Sequence, residues 1–264
     1  MTNQLFKTKF GEYSLSFKSG SPMIVFLSGA DSFSTAQTFA PIIRSLPKQV
    51  GFLTIDYLFS GFSSPAKGNY NYQDSLYDIE KIISTKTTGS IIIVTHSIGG
   101  VYALELFHRL TRITAFVGIE PTTREIINNP PKTRAYIDAA KKHDAMGQDG
   151  FTQYIHKKLV LYFPSQQANL IWQTAENSEK SASKFAIQYK NFSDSFDWHS
   201  HTRLSKIPSV IFTEKYRREE YLRSEFMTDN QYSKVISLGD FHYIHWEEPI
   251  MIVEEIKEVI KNLI

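Results

Sequence analysis

Six short apolar runs, each too short for a buried helix and rich in Val, Ile or Phe, set the terms on which this chain can fold. They are MIVFL (23–27), FLTI (52–55), IIIV (91–94), ITAFVGI (113–119), SVIF (209–212) and KVISL (234–238). Runs of this length and composition read as strands buried on both faces. Helical patterns fall between them: TAQTFAPIIRSL (35–46), DSLYDIEKIIS (74–84) and GVYALELFHRL (100–110). In the second, Leu76, Ile79, Ile82 and Ile83 repeat at helical spacing and Asp74 is placed to cap. The C-terminal IMIVEEIKEVIKNLI is an amphipathic helix. Strands alternating with helices predict an α/β fold, a mostly parallel sheet covered by helices on both faces. Ahead of the first run, FKTKFGEYSLSFK (6–18) alternates in part around Gly11 and predicts an antiparallel hairpin.

One stretch breaks the rhythm. Residues 122 to about 205 hold no strand pattern but polar helical patterns studded with aromatics, among them Tyr136, Phe151, Tyr154, Trp172, Phe185 and Trp198. Pro130 and Pro131 punctuate its start and Pro208 its end, so it reads as a helical insertion between two sheet strands. The chain then divides into a core over 1–121, an insertion over 122–205 and a second part of the core over 206–264. A length of 264 residues with 42% hydrophobic content suits one large domain or a core with such an insert. The 29 basic and 27 acidic residues leave a formal charge of +2, which argues against a nucleic-acid partner. The absence of cysteine excludes disulfides, thiolate metal sites and a cysteine nucleophile. No run approaches the roughly 18 apolar residues of a membrane span, and MTNQLFKTKFGEYSLSFKSG lacks a signal-peptide core. The expectation is a soluble, cytoplasmic protein acting on a small molecule.

Residues 91–101, IIIVTHSIGGV, carry the chemistry. A serine between a strand and a helix is often only a turn. Here Thr95-His96-Ser97-Ile98-Gly99 has the shape of G-x-S-x-G with Thr in the first position, and it lies between an apolar strand and a helix, as that motif requires. Gly99 and Gly100 let the new helix approach the sheet closely, and its N-terminus leaves free amides near the serine. A serine hydroxyl needs a base. GDFHYIHWEEP (239–249) offers His242 in the loop after the last strand, at the same sheet edge. LSGADSF (27–33) leaves the first parallel strand at that edge, where the Ala30 N–H pairs with the Ile98 N–H as donors to an oxyanion.

These segments together resemble an α/β-hydrolase with a helical cap, over almost the whole chain. The likeness rests on LSGA where that family often has His-Gly, on DYLFSGFSS (56–64), on THSIGG and on HYIHWEEP. The resemblance implies Ser97 as nucleophile, His242 as base, an acid between them in sequence, a cap over 122–205 that shapes the pocket, and no cofactor. Three positions depart from the family pattern. Thr95 replaces a glycine and Ser28 a histidine. The usual acid position after SVIF is occupied by Tyr216, within Thr213-Glu214-Lys215-Tyr216. The acid is therefore sought at Glu120, ending the ITAFVGI strand, with Glu214 as the second choice. Loss of the acid from its usual place also keeps open a non-catalytic ligand-binding member of the fold.

The implied activity is hydrolysis of an ester, or of an amide, with an apolar acyl or aromatic group; an iminopeptidase-type peptidase or a lyase on the same residues is the alternative. His199-x-His201 and His242-x-x-His245 read as solvated or hydrogen-bonded histidines rather than as a metal site. KYRREEYLR (215–223) mixes charge signs and reads as a solvated helix face.

Overall fold

The computed structural model describes residues 3–182, 204 and 206–263. Its framework is an eight-stranded sheet in the order β1-β2-β4-β3-β5-β6-β7-β8. The strands are β1 (Asn3–Lys7), β2 (Glu12–Lys18), β3 (Met23–Leu27), β4 (Gly51–Ile55), β5 (Ile91–His96), β6 (Ile113–Ile119), β7 (Ser209–Thr213) and β8 (Lys234–Ser237). The first two form the expected hairpin, and β2 pairs antiparallel with β4. From β4 through β3, β5, β6 and β7 to β8 every pairing is parallel. All six apolar runs are strands of this sheet.

Side-chain alternation explains why the runs are apolar throughout. Val25, Leu27, Ile91 and Ile93 enter one core, packed with α3 (Tyr72–Lys86) and α4 (Gly99–Arg109). Their neighbours Ile24, Phe26, Ile92 and Val94 enter the other, packed with Phe39 just after α1 (Thr35–Thr38), with α2 (Ala40–Arg44) and with the C-terminal helix Pro249–Leu263. A strand buried on both faces has no polar side.

Two local expectations are corrected. The single helix expected over 35–46 is two short ones, broken at Phe39, whose ring is fully buried and whose φ/ψ of −89° and 3° is not helical. The cap of α3 is Asn71, not Asp74. The Asn71 side chain accepts from the Asp74 N–H, while the Asp74 carboxylate accepts from the Asn71 N–H, a reciprocal capping box.

Between β6 and β7 lie α5 (Arg124–Asn128), α6 (Arg134–Tyr162), which is interrupted at Gly147 with a φ of 61°, and α7 (Ser165–Ala182). Ile155, Leu159 and Ile171 of α6 and α7 pack on Phe33 and Phe241, in loops that follow β3 and β8, and on Trp246 in the short helix after the second of these loops. The rest of the insertion, including Phe185, Trp198, His199 and His201, lies outside the described residues. After β7 come a 3-10 turn (Lys215–Arg217) and α8 (Arg218–Arg223); after β8 come α9 (Ile244–Glu247) and α10 (Pro249–Leu263). Among the described residues, no helix is long and apolar enough to cross a membrane.

Candidate active site

Ser97 sits between β5 and α4 with a φ of 50°, in the left-handed region that a non-glycine residue enters only when its surroundings hold it there. Two bonds across the sheet do so: the Ser97 N–H donates to Ile119 O at 3.1 Å, and Ser97 O accepts from the Thr122 N–H at 2.9 Å. The helix start also presses against the sheet. A Cβ added at Gly99 would stand 2.7 Å from Leu27 O, so only glycine lets α4 begin this close to the end of β3. Thr95 is accommodated with its side chain fully buried and its hydroxyl without a partner among the described residues.

That close approach places the Ala30 loop beside the start of α4. No hydrogen-bond partner takes the Ala30 or the Ile98 N–H among the described residues. Asp56 steadies the loop from below: buried, it accepts from the Thr35 N–H at 2.7 Å and from the Phe62 N–H at 3.0 Å. Ser97, Ala30 and His242 line one cavity of about 350 Å³, walled by Phe33, Phe151, Trp172 and Tyr243.

His242 faces two ways. Its Nδ1 lies 2.8 Å from Oε2 of Glu120. An ionised carboxylate only accepts, so Nδ1 carries the proton and Nε2 is left as the basic nitrogen. The His242 carbonyl accepts from Nε2 of His96 at 3.2 Å, which ties the loop to the residue preceding Ser97. Burial, and then His242 and His245, push His96 well below the usual histidine value, so it stays neutral. Among the described residues the Ser97 hydroxyl and His242 share the cavity without a direct hydrogen bond, a gap common in sites without substrate.

Glu120 is 1% exposed and has a φ of 45°. Its Oε1 accepts from the Thr213 hydroxyl at 3.0 Å and the Glu214 N–H at 2.9 Å; its Oε2 accepts from Nη1 of Arg217 at 3.1 Å as well as from His242. Burial by itself would raise this carboxyl. The Arg217 guanidinium, followed by the His242 ring, outweighs it and holds Glu120 at about 2. Glu214 has the opposite fate: burial first, and the Glu120 charge second, push it up to about 7. Its side chain lines a second cavity of about 690 Å³ on the far side of His242, with Tyr216 and Lys215.

Arg217 overturns the expectation of a solvated face over 215–223. It is 7% exposed and Glu220 2%. Arg217 Nε and Nη2 donate to Glu220 at 3.0 and 2.9 Å, and the Thr123 hydroxyl donates to the same carboxylate. Five donors held in one plane let a single side chain serve Glu120 and Glu220 together. The mixed-sign run gave no sign of this, because the turn at 215–217 aims Arg217 inward while Arg218 and Glu219 stay exposed. Asp31 was also missed; its carboxylate lines the Ser97 cavity two residues beyond Gly29. Among the described residues no three His, Cys, Asp or Glu side chains group as a metal site, and His245 stacks on Phe39 at 4.5 Å between ring centres.

A family model described as the alpha/beta hydrolase fold matches residues 22–213. The crystal structure of Smu.1393c from the cariogenic pathogen Streptococcus mutans is 30% identical, with a TM-score of 0.86 over 99% of this chain and 98% of that one. An epoxide hydrolase from Bacillus megaterium, solved with an inhibitor, is 15% identical with a TM-score of 0.72 over 98% of this chain and 100% of that one. Alpha/beta hydrolase domain-containing protein 10 from mouse is 14% identical with a TM-score of 0.63 over the full length of both. At these lower identities the likeness is one of fold. No curated protein sequence matches. The matched family model and the 30% identical structure, which spans nearly the whole chain, make this protein a member of the alpha/beta hydrolase fold family, and that membership supports hydrolase activity in general terms.

Proposed function

We propose that this protein is a serine hydrolase that cleaves an ester, or an amide, of a small substrate with an apolar or aromatic part. The observation that carries the reading is the 2.8 Å bond between His242 and Glu120, made by a histidine that shares a cavity with Ser97 on its strained turn. Ser97 attacks the carbonyl carbon and His242 Nε2 takes its proton. The unpaired N–H groups of Ala30 and Ile98 receive the oxyanion. His242 returns the proton to the leaving group. Water, activated by the same nitrogen, then releases the acyl group. Glu120 holds the ring in the required tautomer and stabilises the imidazolium. In this reading the insertion over 122–205 is a cap whose Phe151 and Trp172 shape the pocket.

The solved structures named as epoxide hydrolases suggest epoxides as substrates, and the nucleophile argues against that here. A serine oxygen that opens an epoxide forms an ether, which water attacking a carbonyl cannot release. A serine acyl ester is released readily. The test is a panel of chromogenic esters of varied acyl length together with aminoacyl anilides, run on the native protein and on Ser97→Ala. Turnover by the native protein that is lost in the variant is expected. Turnover that survives in Ser97→Ala, or no turnover of any member by well-folded protein, would favour a different nucleophile or a ligand-binding role.

A further inference from the structure

The Ser97 cavity has a one-sided charge. Its described lining holds three carboxylates, Asp31, Glu176 and Glu179, and neither Lys nor Arg. The cavity on the other side of His242 carries both signs, with Lys142, Lys215 and Arg217 beside Glu120, Asp144, Glu214 and Asp240. Of the three carboxylates in the Ser97 cavity, Asp31 is the one on the loop that carries Ala30. A Cβ added at Gly29 would lie 3.0 Å from Asp31 Oδ2 and 2.9 Å from His96 Nδ1, so this carboxylate reaches back over the start of the loop that carries Ala30. It is positioned from two directions: Oδ1 accepts from the Phe33 N–H at 3.1 Å, and the Tyr243 hydroxyl stands beside it. Glu176 is anchored in turn by Nε1 of Trp172 at 2.9 Å.

We infer that the cavity selects substrates bearing a protonated amine on the acyl side of the scissile bond, with Asp31 as the residue that sets this specificity. The inference rests on the serine-hydrolase reading and names its substrate class. The acyl group stays beside the Ala30 loop through both chemical steps, whereas the leaving group departs after the first. A carboxylate next to that loop opposes the negative charge that grows on the carbonyl oxygen. A neutral acyl group bears that opposition in full and an anionic one adds to it. An ammonium placed between removes it, and is drawn as well to the electron-rich ring faces of the aromatic walls. His96, kept neutral by burial, supplies no competing positive charge.

The experiment uses p-nitrophenyl esters with one leaving group and acyl chains ending in an ammonium, a neutral isostere or a carboxylate, compared by kcat/KM at fixed ionic strength. The native protein is expected to favour the ammonium ester over the neutral one by about tenfold or more, with the carboxylate ester last. Asp31→Asn should lose most of that preference, with the ammonium ester slowing and the neutral ester speeding up; Glu179→Gln should shift the ratio the same way by less. A merely structural role for Asp31 would slow all three esters together, and that result, or a native preference for the neutral or carboxylate ester, overturns the inference. If no ester is turned over, the serine-hydrolase reading fails separately. Calorimetric binding of butyltrimethylammonium against butanoate to the native protein then decides the charge preference, and tighter binding of butanoate, or equal binding, overturns it.

Discussion

The ends of β6 and β7 lie side by side, and each carries a glutamate next to the same histidine. Glu120, after β6, is ionised at any ordinary pH; Glu214, after β7, is held at about 7. Neither the residue type nor the depth of burial accounts for the difference, since Glu120 is the more buried of the two. What separates them is the number of donors each carboxylate meets. Glu120 accepts from Thr213, the Glu214 N–H, Arg217 and His242, while Glu214 faces a neighbour already charged. Two adjacent carboxylates cannot both ionise cheaply, and Arg217 decides which one does. If Glu120 is the triad acid, as proposed, the acid need not follow β7. It needs a strand end within reach of the histidine and a buried cation to keep it charged.

The sharpest way to break this comparison is Glu120→Gln. If Glu120 orients His242, kcat on a cleaved ester should fall by up to about 10⁴-fold while circular dichroism stays native. A fall of tenfold or less would move the acid elsewhere. Next comes Arg217→Met, which leaves Glu120 and Glu220 buried without their cation. Breaking such a network costs about 3–5 kcal/mol, to be read as a lower denaturant midpoint at pH 7. A midpoint unchanged within error would show that Arg217 does not hold the two carboxylates. The smallest effect belongs to Glu214→Gln, expected to change kcat by less than about tenfold because the group makes no bond to His242. Its sign with pH is more telling. A carboxyl raised to about 7 favours the folded state at low pH and withdraws that support as pH rises through 7. Removing its charge should therefore raise Tm more at pH 8 than at pH 5. Glu120 behaves the other way, its contribution being present above the ordinary carboxylate range and lost as pH falls toward 2.

The sequence made the sheet legible because strands such as IIIV and MIVFL are buried on both faces and leave no polar position to confuse with a helix. The placement of Ser97 and His242 at one cavity was legible for a related reason: each stands where an apolar strand or loop meets a helix, a boundary that local pattern marks. The Glu120–Arg217 pair was not. Arg217 is 97 residues away in sequence, and its neighbours Arg218 and Glu219 are exposed, so local charge pattern described the wrong side of the turn. The break at Phe39 was hidden because an aromatic fits a helical apolar face as well as it fits a helix end. Asp74 reads as a cap because it precedes the apolar positions, yet the helix begins a turn earlier, where Tyr72 is already buried.

The most direct test of the account is the rate of covalent labelling by a fluorophosphonate, which needs no knowledge of the natural substrate. Native protein and Glu214→Gln should label quickly and at comparable rates, with the adduct mapped to Ser97, and Glu120→Gln should label slower by orders of magnitude. Labelling at another residue, or equal rates for Glu120→Gln and the native protein, would contradict the assignment of Ser97, His242 and Glu120 as one catalytic unit.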